Sequence, residues 1–133
     1  MSEDTRIPDI VAKLRSNRVQ RLNDGEIDRM VDGFYAVDAR LMPPDRPTLE
    51  GREEIRAFWR EVPEVGLIDL KLRCRHVADA GDLAYERGDF SRTIRPRHGH
   101  PFNDVGKYLV IYRRQADGGF LAEVEMFNSP RGR

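Results

Sequence analysis

The spacing of hydrophobic residues changes near the middle of this chain. In the first half, apolar side chains recur three or four positions apart, as on one face of an α-helix; the first such set comprises Ile7, Ile10, Val11, Leu14 and Leu22. From Ile68 to His76, apolar residues instead occupy every second position, which is typical of a β-strand with one buried face. Helices formed early in the sequence must therefore cover the apolar face of a sheet formed late.

Turn-forming residues divide these halves into elements. Asn23-Asp24-Gly25 ends the first helix, and a second, short helix carries Ile27, Met30, Val31, Phe34 and Tyr35 on its inner side. A short strand over residues 39–42 precedes a third helix, which starts after Gly51 and carries Ile55, Phe58, Trp59 and Val62. Four strands follow, over residues 68–76, 83–94, 107–114 and 120–128, and residues 95–104 are predicted to form a loop. This order predicts one α+β domain over residues 1–133, with its core at about residues 7–129.

Composition excludes several classes of function. The 133 residues include 23 Lys and Arg and 23 Asp and Glu, so the formal net charge is zero and no broad basic surface for nucleic acid is expected. No apolar run is long enough to span a bilayer, and the first residues lack the pattern of a secretion signal, so we expect a cytoplasmic protein without membrane contact. Cys74 is the only cysteine, which excludes an intrachain disulfide. Nucleotide-binding glycine motifs are missing and His98 and His100 lack a cluster of further ligands, so we expect neither a cofactor nor a metal.

Five short segments resemble the NTF2-like superfamily. They are Tyr35-Ala36-Val37-Asp38-Ala39, the run GREEIRAFW over residues 51–59, GDLAY over residues 81–85, GKYLV over residues 106–110, and a closing run that contains Phe120, Glu125, Asn128 and Ser129. The resemblance covers about residues 15–129 and is greatest to the SnoaL-like and DUF4440 branch, which is related to ketosteroid isomerase. It implies a curved antiparallel sheet wrapped around three helices, forming a cone with an internal pocket, and it implies a homodimer.

The positions that carry catalysis in ketosteroid isomerases do not match. The resemblance places the aspartate base near Pro43, the tyrosine donor near Arg18 and the acidic donor at Val110. The side chains of proline and valine can neither move a proton nor donate a hydrogen bond to an enolate. We therefore do not expect authentic ketosteroid isomerase activity.

Other residues are candidates for catalysis. His76 ends the first long strand and is expected on its inner face, either as a general acid or base or as a buried histidine bonded to a neighbour. Glu125 lies where the resemblance places an acidic residue in many relatives. Glu123 shares its strand face, and repulsion between the two carboxylates would favour one of them as a base, although both could equally face solvent. Tyr108 is expected to donate a hydrogen bond from its hydroxyl to a ligand carbonyl.

A further set of residues is expected to line the pocket: Tyr35, Trp59, Val110, Tyr112, Glu123 and Phe127. Val110 and Tyr112 alternate with Tyr108 on one strand, so the three share a face. Tyr35 and Trp59 lie on helical stripes, where core packing explains an aromatic residue equally well. The orientation of Tyr85 and Arg87 stays open.

These residues favour a pocket that binds a small, largely apolar organic molecule with a carbonyl or hydroxyl group. In a catalytic version, Glu125 or His76 acts as the base and Tyr108 as the hydrogen-bond donor of an isomerase, cyclase or dehydratase that needs no cofactor. The alternative is a non-catalytic ligand-binding or association module, in which Trp59, Tyr112 and Phe127 fill the pocket.

Overall fold

The computed structural model describes residues 6–61, 67–96 and 98–130. Its elements, in chain order, are α1 (Ile7–Asn23), α2 (Ile27–Phe34), β1 (Tyr35–Met42), β2 (Leu49–Glu50), α3 (Arg52–Glu61), β3 (Leu67–Ala80), β4 (Leu83–Ile94), β5 (Phe102–Arg114) and β6 (Phe120–Asn128). Val62, which we predicted on the third helix, lies outside the described residues. Among the helices described, none combines the length and hydrophobicity needed to cross a bilayer.

The strands form one curved, unclosed sheet in the order β2-β1-β6-β5-β4-β3. The predicted α+β class, in which helices from the first half cover a curved sheet, is confirmed. All neighbouring strands are antiparallel except β1 and β6, which run parallel, so the expectation of a wholly antiparallel sheet is corrected at this one pair. These two strands come from opposite halves of the chain and no hairpin joins them, so no turn forces them into opposite directions.

Several element boundaries differ from those predicted. Tyr35 opens β1 rather than ending the second helix, and a two-residue strand, β2, was not predicted. β5 begins at Phe102, inside the segment expected to be a loop, because Asn103 and Asp104 pair with Thr93 and Arg92 of β4. The polar composition of this segment concealed the strand, since an ion pair from Arg92 compensates the buried charge of Asp104.

The core lies between the helices and the inner face of the sheet. α1 contributes Val11 and Leu22, and the shorter helices contribute Met30, Val31, Phe34, Ile55 and Trp59. From the sheet they meet mainly Leu41, Ala84, Phe90, Val110, Tyr112, Phe120 and Ala122. The same interior holds four charged side chains, Arg18, Glu86, Asp104 and Glu125, so this core is not purely apolar.

Two of the irregularities in the strand pairing decide which way His76, Glu123 and Glu125 face. Between Cys74 and His76 the register of β3 against β4 shifts by one residue, and His76 is exposed. Its predicted place on the inner face is therefore wrong. A β-bulge of this kind inserts one extra residue and exchanges the inner and outer faces beyond it.

The second irregularity lies between β5 and β6. Ile111 pairs with Val124 and Tyr112 with Ala122, which leaves Glu123 as the extra residue. Glu125 consequently faces the core, whereas Glu123 is half-buried and pairs with the outward Arg113. The expected face shared by Glu123 and Glu125 is therefore wrong, because the regular alternation stops at the bulge.

Two glycines let aromatic rings lie close to the sheet. Gly88 of β4 is opposite Tyr108 of β5, and Gly106 of β5 is opposite Phe90 of β4. A Cβ atom at Gly88 would lie 2.7 Å from the Tyr108 hydroxyl oxygen, and one at Gly106 would lie 2.5 Å from the Phe90 ring. Both rings therefore need a glycine beneath them, and both rings face the interior of the cone.

Candidate functional site

A small cavity lies between α1, α3 and the inner face of the sheet. Its volume is about 30 Å³, which is room for about two water molecules. Most of the lining is aromatic or aliphatic, and its charged groups belong to Arg18, Arg92 and Glu125. The lining residues are Arg18, Trp59, Leu70, Leu72, Phe90, Arg92, Tyr108, Glu125 and Phe127.

Arg18 and Glu125 form a buried ion pair at this cavity. The Arg18 side chain is 4% exposed and that of Glu125 is 2% exposed, and an Arg18 terminal nitrogen lies 2.5 Å from Glu125 Oε2. Arg18 reaches the interior because it lies on the stripe of α1 between Val11 and Leu22, seven residues after the first and four before the second. A helical position that would suit an apolar residue is thus occupied by a cation.

Glu125 has a further partner on its other oxygen. The Tyr35 hydroxyl donates a hydrogen bond to Glu125 Oε1, and Trp59 Nε1 donates to the Tyr35 oxygen over 3.0 Å. Burial, and next the Glu125 charge, raise the pKa of Tyr35 well above its ordinary value, so this hydroxyl keeps its proton. Both carboxylate oxygens of Glu125 are therefore occupied.

The Arg18 guanidinium has one nitrogen without a partner. Burial is the largest single influence on Arg18 and lowers its pKa, but the charge and hydrogen bond of Glu125 together with Tyr35 and Tyr112 outweigh it, so the net pKa is raised and the side chain stays cationic. The guanidinium carbon lies 4.2 Å from the centre of the Phe34 ring, a cation–π contact. Within the described residues, no acceptor reaches Arg18 Nε, although this atom is buried.

A second buried cluster surrounds Glu86 of β4. Its side chain is fully buried, and its carboxylate accepts hydrogen bonds from the hydroxyls of Tyr108 and Tyr112 and from Arg15 Nε. The Tyr112 and Arg15 bonds measure 2.9 and 2.7 Å. Burial, together with the hydrogen bond to Glu86, raises the pKa of Tyr108, and burial with the charge of Glu86 raises that of Tyr112.

A third pair stands beside the cavity. Arg92 donates from Nε and from a terminal nitrogen to Asp104 Oδ2 at 2.8 and 2.7 Å, and Ser129 Oγ donates to Asp104 Oδ1. Arg92 lines the cavity, so both cations there, Arg18 and Arg92, are each paired with a carboxylate. The two cations are therefore neutralised by two carboxylates, Glu125 in the lining and Asp104 beside it.

The structure brings together four of the predicted site residues. Trp59, Tyr108, Glu125 and Phe127 line the cavity. Three others, Tyr35, Val110 and Tyr112, are buried in the core beside it and are not part of the lining.

Two predicted residues lie away from the cavity. His76 is exposed against the Tyr85 ring, with 5.7 Å between ring centres, and Glu123 binds Arg113. The open question of Tyr85 and Arg87 is answered: both are exposed on the outer face. Their neighbour Glu86 faces inward, as strand alternation requires.

Sequence reasoning missed Glu86, Arg15 and Arg92, and met Arg18 only as a mismatch with a catalytic position. A signal for Glu86 was present, because Ala84, Glu86 and Phe90 alternate on one face of β4. Within the described ranges, no three His, Cys, Asp or Glu side chains are grouped so that they could hold a metal ion.

Residues 17–123 match the sequence profile of the SnoaL-like domain. The chain belongs to the SnoaL-like family. No match was found among curated protein sequences.

Solved structures of proteins that carry other names share the fold at low sequence identity. A ketosteroid isomerase-like protein from Erwinia carotovora atroseptica superposes with a TM-score of 0.82 at 19% identity, over 91% of this chain and 94% of the other. An NTF2-like protein with a cystatin-like fold from Novosphingobium aromaticivorans gives 0.74 at 17% identity, over 98% and 94%. A putative calcium/calmodulin-dependent protein kinase II association domain from Xanthomonas campestris gives 0.74 at 19% identity, over 96% and 94%.

The Arg18–Glu125 pair predicts an asymmetry between single and double substitutions. Arg18→Met leaves the Glu125 carboxylate buried without its counter-charge and should lower the free energy of unfolding by about 3–5 kcal/mol. Arg18→Met with Glu125→Met removes both charges and should recover most of that loss. Urea unfolding measures both. Arg75→Met, which breaks the exposed pair with Asp89, is the control and should cost at most about 1 kcal/mol. Additive losses in the double variant would contradict the assignment.

The buried tyrosines predict a loss of stability at alkaline pH. Because their pKa values are raised, the folded chain keeps protons on Tyr35, Tyr108 and Tyr112 at pH values where the unfolded chain releases them. Their contribution is complete below about pH 10, and above it the free energy of unfolding falls by up to about 1.4 kcal/mol per pH unit for each tyrosine. Urea unfolding at a series of pH values above and below about pH 10 measures the slope. Tyr112→Phe should make it shallower, and an unchanged slope would count against this account.

Proposed function

We propose that the cavity binds a small, largely apolar organic molecule that carries a carbonyl or hydroxyl oxygen. The observation that carries this proposal is the buried Nε of Arg18, which has no acceptor among the described residues and belongs to a residue of the cavity lining. Buried polar groups normally have partners, and a missing one costs about 1–3 kcal/mol. A ligand oxygen beside Nε supplies the acceptor.

The charge balance of the lining favours a neutral ligand. Arg18 is paired with Glu125 and Arg92 with Asp104, so a carboxylate or phosphate would find no free counter-charge and would be repelled by two buried carboxylates. The remaining surface is aromatic and aliphatic, and it suits a hydrocarbon body. A ketone, an alcohol or an enol with an apolar ring fits this description.

The ligand enters by separating two aromatic side chains. Trp59 and Phe127 stack with 6.3 Å between ring centres and close much of the interior, and the space left is smaller than any organic ring. This filled state is the resting state of the proposed site. It also resembles the non-catalytic alternative, in which these side chains simply complete the core.

Binding is better supported than proton transfer. One oxygen of Glu125 accepts a hydrogen bond from Tyr35 and the other forms the ion pair with Arg18. Neither oxygen is therefore free to take a proton from a ligand in the resting state. His76 lies on the outer face and takes no part in the proposed site. Glu125 is our proposed base for an isomerase-like reaction, which requires the ligand oxygen to draw Arg18 away from the carboxylate.

The proposed binding is tested with three six-membered rings that differ in one group. Cyclohexanone and cyclohexanol each offer an oxygen to Arg18, and methylcyclohexane offers none. We expect the two oxygenated rings to bind at least about threefold more tightly than methylcyclohexane, since one hydrogen bond contributes about 0.5–1.5 kcal/mol. Amide chemical shifts in NMR titrations measure affinity and also show which residues respond.

The Arg18→Met/Glu125→Met variant is the matched test of the site, because it removes the polar groups as a pair. It should bind cyclohexanone no more tightly than methylcyclohexane, because the ketone oxygen has lost its donor. Arg75→Met, an exposed arginine, should behave as the wild type. Failure of every ring to shift the residues of the cavity lining would overturn the proposed function.

A second proposal concerns assembly. We propose that the outer face of the sheet joins two copies of this chain. Leu109 of β5 pairs with Met126 of β6, and together with Leu83 and Tyr85 of β4 it lines an apolar groove on this face. Exposed apolar side chains grouped in this way mark association surfaces. The solved relative from Xanthomonas campestris is named as an association domain, which is consistent with this use of the fold.

The assembly proposal predicts that one charge disrupts the dimer. Leu109→Glu places a carboxylate in the middle of this apolar face and should shift the chain from dimer to monomer. Sedimentation velocity at several protein concentrations measures the change. Gln20→Glu, on the exposed side of α1 across the molecule, should leave the dimer intact. A monomeric wild type would rule out this interface.

A further inference from the structure

The Tyr108 hydroxyl already donates a hydrogen bond within the protein when no ligand is bound. It donates its single proton to Glu86 Oε2, the oxygen that also accepts from Arg15 Nε over 2.7 Å. Glu86 is fully buried, and a carboxylate can only accept hydrogen bonds. The raised pKa of Tyr108 agrees with a proton that stays on this oxygen.

This commitment leaves only lone pairs on the Tyr108 oxygen for any other partner. Tyr108 lines the same cavity as Arg18, whose Nε can only donate. Because both residues line one cavity, a ligand oxygen held between them can contact the two side chains together. Such an oxygen meets a donor on one side and an acceptor on the other.

We propose that the ligand oxygen is a hydroxyl, and that Glu86 is the positioning residue that imposes this choice through Tyr108. An alcohol or enol oxygen accepts a hydrogen bond from Arg18 Nε and donates its own proton to the Tyr108 oxygen. A ketone satisfies Arg18 but leaves the Tyr108 lone pairs without a donor. This inference rests on the proposed binding function and reverses the donor role predicted for Tyr108 from the sequence.

Gly88 is the second element of this arrangement. A side chain at this position would lie 2.7 Å from the Tyr108 hydroxyl oxygen, so glycine allows the tyrosine to reach Glu86 across the surface of the sheet. Tyr112 binds the other oxygen of Glu86, Oε1, over 2.9 Å and is not part of the cavity lining. The two tyrosines are therefore separable: one faces the ligand, and the other only holds the carboxylate.

The geometry around Glu86 supplies a matched pair of variants. In Glu86→Gln, the side-chain oxygen must face Arg15, because Arg15 can only donate hydrogen bonds. This oxygen therefore continues to accept the hydrogen bond from Tyr108, and the new amide nitrogen faces Tyr112. Glu86→Met removes every acceptor at similar length and frees the Tyr108 proton to turn toward the cavity. Only the second variant changes what Tyr108 offers to a ligand.

The experiment compares the affinities of cyclohexanol and cyclohexanone for each variant by NMR titration of the full chain. Wild type and Glu86→Gln should bind the alcohol about threefold to tenfold more tightly than the ketone. In Glu86→Met the preference should vanish or favour the ketone. Tyr108→Phe, which keeps the ring and removes the acceptor, should also abolish the preference, and it decides the matter if Glu86→Met does not fold.

The outcomes separate this inference from the function on which it rests. Equal affinities in the wild type, or tighter binding of the ketone, would overturn the hydroxyl assignment while leaving the binding site in place. An alcohol preference that survives both Tyr108→Phe and Glu86→Met would remove the role of Glu86. Failure of either ring to bind at the cavity would overturn the proposed function itself.

Discussion

Two arginines on one face of α1 meet two glutamates on the inner face of the sheet, and this double contact determines how the layers fit. Arg15 binds Glu86 on β4, and Arg18 binds Glu125 on β6. Withdrawing such charges from water costs several kcal/mol per ion unless geometry and further hydrogen bonds compensate. The helix must therefore lie at one rotation and one height on the sheet, because any slip would leave charges buried without partners.

The aromatic side chains around these pairs complete the compensation. Each of the hydroxyls of Tyr35, Tyr108 and Tyr112 donates to one of the two carboxylates, and Trp59 in turn donates to Tyr35. Nearly every polar atom in the interior is consequently used, and the Nε of Arg18 stands out among the described residues because it is not. This one atom is the group to which the proposed ligand binding assigns the ligand oxygen.

The sequence predicted the class of fold but could not predict the orientation of its key side chains. The change from helical spacing to strand alternation correctly placed the helices before the long strands. Orientation failed at His76 and Glu123, because each lies at a shift in strand register, and alternation read along a single strand contains no information about its partner. The structure places Trp59, Tyr108, Glu125 and Phe127 around one cavity, and their roles in binding or catalysis stay predictions.

The buried ion pairs of the site could not be predicted from the sequence because they join distant parts of the chain. Nothing in the local pattern marks Arg15 or Arg18 as interior, since charged residues are almost never fully buried unless paired. Their pairing joins α1 to β4 and β6, and long-range contacts of this sort are not visible in local patterns. Only the face shared by Glu86 with Ala84 and Phe90 hinted that it points inward.

The late position of Glu125 in the chain imposes an order on biosynthesis. Tyr35 and Glu125 are 90 residues apart, and Arg18 precedes both, so the N-terminal helices leave the ribosome well before the carboxylate that neutralises them. Arg18 therefore gains its partner carboxylate only once the last strand lies beside β1. A contact that spans most of the chain is of the kind that slows folding, because a long loop must close before the contact forms.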